Sequence, residues 1–168
     1  MAFLLALVVG SSVARAEDPA VSCAPTADGA VQVQAVVPAS EANIRAYLDS
    51  AVRCGTLAPG VVKVEVVAPR GGGCEEIVTT TKVPGSTMDY RSMRCRTSTG
   101  YKDTLMDSET MEDFYAVWDL RTVEGGTEVT VRVKTVLDLP VPAYLVNVGL
   151  QSSLKATMVN LISAMGGK

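Results

Sequence analysis

The chain has 168 residues and is mildly acidic, with 15 Lys and Arg against 18 Asp and Glu, a net charge of −3. That balance offers no basic field for nucleic acid or for anionic lipid headgroups. Histidine is absent, which removes the usual ligands of zinc and haem centres and the histidine-dependent forms of nucleophilic and acid–base catalysis.

Phe3 to Val9 is a short apolar run, followed by small residues ending Ala14-Arg15-Ala16 and then Glu17-Asp18-Pro19. This is the pattern of a signal peptide spanning 1–16 and cleaved after Ala16, without the basic start such segments carry. The run is too short to span a bilayer as a helix; an uncleaved apolar anchor is the alternative. Cleavage takes Arg15 with it and leaves 14 basic against 18 acidic residues, a net charge of −4. The expected location is secreted or periplasmic. The remainder divides into a polar, Pro/Ala-rich flexible leader over 17–30 and one domain over 31–168, long enough to bury a core.

Val31 to Val37 alternates apolar residues with Gln32 and Gln34, predicting a half-buried strand. Ser40 then stands as an N-cap for a helix over Glu41 to Val52, with Ile44, Tyr47, Leu48 and Val52 on one face. Cys54-Gly55 is expected to stop it, and 56–60 to form a turn or short second helix. Strands follow at Val61–Ala68, Cys74–Val83, Met88–Thr97, Tyr101–Asp107, Phe114–Val123 and Thr127–Leu137. The glycines at 71–73 lack the lysine, hydroxyl residue and following helix of a phosphate loop and read as a hairpin tip. Consecutive, closely linked strands imply an antiparallel sheet.

The final stretch, Leu139 to Met165, opens with Pro140 and Pro142 and closes at Gly166-Gly167. Leu150, Leu154, Met158, Leu161 and Met165 recur at helical spacing, and Leu145, Val148, Val159 and Ile162 widen the stripe. A helix of roughly 35 Å is expected here, the one element long enough to cover the apolar face of the sheet.

Four cysteines outside the cytoplasm read as disulfides. If the third and fourth strands pair so that residue numbers sum to 169, Cys74 faces Cys95, Glu75 faces Arg94 and Ile77 faces Ser92. Directly opposed residues lie close enough for a bridge, so Cys74–Cys95 is expected, with Cys23–Cys54 as the leftover pair. The same alternation puts Arg94 on the face of Tyr90 and Arg91 on the other, with Glu75 as the candidate partner for a buried Arg94.

Three segments, Val31–Ser50, Val61–Arg96 (including Asp89-Tyr90-Arg91) and 126–165 (including Leu145-Val146-Asn147), together resemble the START/SRPBCC superfamily. This group includes lipid-transfer, polyketide-cyclase-like and coenzyme-Q-binding-like proteins, and the resemblance covers roughly Val31 to Met165. It implies an α+β helix-grip fold: a curved antiparallel sheet of six to seven strands on a long C-terminal helix, with one or two short helices after the first strand. It also implies a cavity between sheet and helix for a lipid or other hydrophobic small molecule. The candidate lining is Tyr90, Met93, Arg94, Tyr101, Met106 and Trp118 on the sheet, with Tyr144, Asn147, Val148, Ser152 and Met158 on the helix. A carrier or sensor of the cell envelope is the leading expectation, with no catalytic residue, metal or cofactor. It is expected to be a monomer that makes transient contact with a membrane or a transport partner. A cyclase/aromatase- or hydrolase-like enzyme on the same fold is the alternative, and a partner-binding module a third.

Overall fold

The computed structural model describes residues 20–83, 86–138 and 140–166. The signal-peptide segment and its expected cleavage point lie outside the described residues. In chain order the elements are β1 (Ser22–Pro25), β2 (Val31–Val37), α1 (Glu41–Leu48), α2 (Ala51–Leu57), β3 (Val61–Arg70), β4 (Cys74–Val83), β5 (Ser86–Arg96), β6 (Gly100–Ser108), β7 (Met111–Val123), β8 (Gly126–Leu137) and α3 (Ala143–Ala164). One antiparallel sheet of eight strands runs in the order β1-β2-β8-β7-β6-β5-β4-β3. The eighth strand is β1, which arises inside the expected leader because residues 22–25 pair with 31–34 of β2.

β2 pairs with β8, the last strand, while β3 forms the far edge. The two short helices therefore carry the chain from one side of the sheet to the other. Register shifts in β3, at Arg91/Ser92 of β5 and at Met111/Asp113 of β7 mark bulges, which bend a sheet and increase its twist.

Period-two alternation builds the sheet side of the core from Val31, Val33, Ala35 and Val37 of β2 and Val129, Val131 and Val133 of β8. Leu154, Met158, Leu161 and Ile162 of α3 and Ile44 and Leu48 of α1 cover them. α3 lies chiefly on β2, with β1, β8 and α2 also in contact, so it covers one side of the sheet and α2 covers the edge near β3.

Three local expectations change. α1 ends at Leu48, because Ser50 accepts a hydrogen bond from the Arg53 amide (3.3 Å) and starts α2 in a new phase. Val52 is turned outward as a result, and Cys54-Gly55 lies within α2 rather than ending a helix. Gly55 has a packing reason to be there: a Cβ at this position would meet Val64 Cγ2 at 2.3 Å. On α3, Leu145, Val148 and Val159 are exposed. They follow the spacing of Lys155, whose side faces solvent, rather than that of the buried Leu154 and Met158.

Candidate functional site

Between the sheet and the helices lies a cleft of about 170 Å³. Its floor is the inward-facing set of six strands: Val61 and Val64 on β3, Ile77 and Thr79 on β4, Tyr90 and Arg94 on β5, Asp103 on β6, Phe114, Ala116 and Trp118 on β7, and Val131 and Val133 on β8. Its roof is Ala51, Cys54 and Gly55 of α2 with Leu150, Ser153, Leu154 and Thr157 of α3. The walls are mainly apolar, and one ion pair is set into them.

That pair is Arg94 with Asp103. Nη1 of Arg94 donates to both carboxylate oxygens, at 3.2 and 3.0 Å, and Nη2 donates to the Leu48 carbonyl at 3.0 Å. Leu48 is the last residue of α1, whose carbonyls lack helical partners and attract a cation. The guanidinium also stacks on Tyr101, 4.6 Å from the ring centre. The Tyr101 hydroxyl in turn reaches the Arg45 carbonyl (3.1 Å) and Asp49. A buried charge survives only when paired and hydrogen-bonded, and Arg94 has both.

Glu75 stands opposite Arg94 as the register required, but it is not the ion-pair partner. Asp103 is opposite Arg94 on the other neighbouring strand, and both oxygens of this buried carboxylate accept from Nη1. Arg91 points to the outer face and pairs with Glu76 at 3.0 Å; Arg96 pairs with Asp49.

Burial governs the titrating groups of the cleft. Burial pushes the Tyr90 phenol up to about 12. Burial also raises the Cys54 thiol, against the pull of Arg94, so the thiol stays protonated. Asp103 is raised by burial too, with the Arg94 charge drawing it back toward ionisation. Among the described residues no three Cys, Asp or Glu side chains come together as metal ligands would.

Of the residues the sequence put forward, Tyr90, Arg94 and Trp118 line the cleft. Tyr101 supports Arg94 from the side. Met158 is buried in the core between α3 and the sheet, outside the lining. Met93 takes the outer face, since it alternates with Arg94, and Met106 is exposed at an outer recess. Tyr144, Val148 and Ser152 stand on the solvent side of α3, and Asn147 is half-buried without lining the cleft. On the helix the polar wall is instead Ser153 and Thr157, which share the phase of Leu150 and Leu154.

Asp103 and Cys54 are cleft residues that sequence reasoning missed. The signal for Asp103 was present: pairing β5 and β6 through the 97–99 turn sets Arg96 against Tyr101 and hence Arg94 against Asp103. Cys54 was hidden by the break between α1 and α2. Of the expected bridges, Cys74–Cys95 is present. Cys23 and Cys54 are both free, one on β1 and the other on the buried face of α2, so the leftover pairing does not form.

Larger recesses exist, of about 470, 380 and 360 Å³. They are open grooves lined by charged residues such as Lys102, Glu112 and Arg132, or Asp89 and Glu109, or Asp49 and Arg96. The smaller cleft is the one between sheet and helix with apolar walls, the features expected of a small-molecule site.

No protein-family model matches the chain, and no curated protein matches it in sequence. Solved structures do match in shape. A START superfamily protein from Mycobacterium smegmatis aligns with a TM-score of 0.72 at 14% identity, over 81% of this chain and 96% of that one. A STAR-related lipid transfer protein from Xanthomonas axonopodis aligns at 0.66 and 15%, over 86% and 98%. Zhui aromatase/cyclase from Streptomyces sp. R1128 aligns at 0.64 and 14%, over 81% and 90%.

Proposed function

We propose, from the START-like helix-grip fold that this chain shares with those proteins, that it binds a hydrophobic small molecule or lipid in the cleft between the sheet and α3. It does so as a carrier or sensor in the cell envelope. The observation that carries the reading is the cleft itself: an apolar hollow with a self-paired Arg94–Asp103 group and no free acid or base. Enclosing about 150 Å² of apolar ligand surface contributes about 4 kcal/mol, without any catalytic group. The disulfide supports an oxidising compartment, and no helix among the described residues is long and apolar enough to cross a membrane.

An enzyme on this fold would need a positioned proton donor or acceptor. Tyr90 and Cys54 are held protonated by burial, and Asp103 is occupied by Arg94. Binding is therefore favoured over catalysis. The test is native mass spectrometry of the protein as purified, beside an Ala116→Phe variant that fills the cleft. An apolar adduct on the wild type that the variant lacks is expected. An adduct retained by the variant, or no apolar compound bound by either protein on addition, would overturn the reading.

A further inference from the structure

We propose that the part of the ligand enclosed by the cleft is uncharged and no larger than about one six-membered ring or a six-carbon chain, and that Tyr90 and Phe114 form the end wall setting this limit. This rests on the ligand-binding reading and narrows it to a class of molecule.

Size comes first. Sites for drug-sized ligands run to about 300–1,000 Å³, whereas an apolar cavity of about 150 Å³ holds one benzene. At about 170 Å³ the cleft belongs with the second, and a two-chain lipid does not fit inside it.

The end wall is an aromatic pair. The rings of Tyr90 and Phe114 lie 5.1 Å apart and tilted by 56°, reaching toward each other from β5 and β7 across β6. They meet where β6 and β7 part company, since the last rung of that ladder is Thr104 with Tyr115. Tyr90 borders both the cleft and the outer recess beside Met88 and Asp107. Phe114 borders both the cleft and the outer recess beside Met106 and Glu112. The two rings are thus the partition between the interior and the grooves outside, and removing one lengthens the cleft.

Charge decides the rest. Arg94 and Asp103 are the charged residues of the lining, and each neutralises the other. A ligand carboxylate would have to displace Asp103 or remain unpaired in an apolar site, and both are costly. A neutral ligand escapes that penalty.

Trp118 makes the proposal measurable, because it is the chain's single tryptophan and it stands in the cleft wall, 5% exposed. Its emission is followed while 1-hexanol, hexanoate and 1-decanol are titrated, at pH 7, into the wild type, Phe114→Ala and Phe114→Leu. Hexanol is expected to saturate in the about millimolar range, with hexanoate at least about tenfold weaker. Four further methylenes would tighten binding about 200-fold if fully buried. In the wild type decanol is expected to bind no better than hexanol, and in Phe114→Ala to gain at least about tenfold over it. Phe114→Leu serves if the alanine variant does not fold, with a smaller gain in the same direction. Decanol binding far tighter than hexanol in the wild type, hexanoate binding as well as hexanol, or an unchanged length preference in the folded variants would overturn this proposal and leave the ligand-binding reading standing. A Trp118 emission that no probe moves would overturn both.

Discussion

Arg94 and Asp103 face each other across β5 and β6, both about 95% removed from solvent, in a two-point ion pair. Removing one partner of such a pair strands the other, at a cost of about 3–5 kcal/mol. Asp103→Ala is therefore expected to lower the free energy of unfolding by about that amount. Arg94→Met combined with Asp103→Leu is expected to recover most of it, since a well-packed apolar pair is often neutral or better. Urea denaturation of both variants measures this, and an Asp103→Ala protein as stable as the wild type would refute the pairing.

At Gly55 two tendencies oppose each other. Alanine is the better helix former, by about 1 kcal/mol, but its Cβ would meet the stiff Val64 side chain at 2.3 Å. Overpacking of this kind costs about 1–3 kcal/mol. Gly55→Ala is expected to be a net loss, seen as a lower Tm, with Gly55→Ala/Val64→Ala losing less than the two single effects combined. A stabilised Gly55→Ala would mean that α2 does not approach β3 this closely.

The thiols give a chemical count. Cys74–Cys95 closes a loop with a sequence separation of 21, for which chain entropy gives about 3 kcal/mol of stabilisation. Cys74→Ser/Cys95→Ser is expected to lose about that much. In the folded wild type iodoacetamide should label the half-buried Cys23 ahead of the buried Cys54. Peptide mapping reads the order, and protection of both thiols by a shared bridge would contradict the free-cysteine arrangement.

Acid should act through a few carboxylates. Hydrogen bonds from Thr26 and Tyr115 hold Asp28 near 2; Arg45 holds Glu41 below its ordinary 4.5, and Arg70 with Arg91 does the same for Glu76. A depressed folded value stabilises above the unfolded one and is lost as pH falls through the folded one. Asp103, raised by burial, has the opposite sign: its contribution is present at low pH and fades as pH rises through its folded value. Against the upward push of burial, hydrogen bonds from Tyr101 and Arg96 hold Asp49 low as well, so Tm should fall toward pH 2 as these four carboxylates protonate. Glu76→Gln should flatten that fall. A Tm that holds or rises down to pH 2 would contradict the assignment.

Much of this fold is legible in the chain, and the reasons are local. Alternation in β2 and β8 names the core face, and the β4–β5 register follows from strand pairing alone, bringing Cys74 to Cys95. The stripe from Leu150 to Met165 names the buried side of α3. What failed depended on more than one element. Val52 changed sides because Ser50 restarts the helix phase. Leu145 and Val148 are apolar yet face solvent, since α3 lies to one side of the sheet, chiefly on β2. Tyr144 and Ser152 lie off the cleft for the same geometric reason, Met106 because the β5–β6 register shifts past it, whereas Asp103 was recoverable by extending the register one strand further. Volume was not legible at all: side chains from six strands and two helices decide it together.

The most direct measurement is an amide and methyl NMR shift map of the isotope-labelled chain saturated with 1-hexanol. The shifts are expected to concentrate on Ala116, Val131, Val133, Leu150 and Leu154, the walls of the inner cleft. Shifts gathered instead on Lys102, Met106, Glu112 and Arg132, around the groove outside β6 and β7, would contradict it.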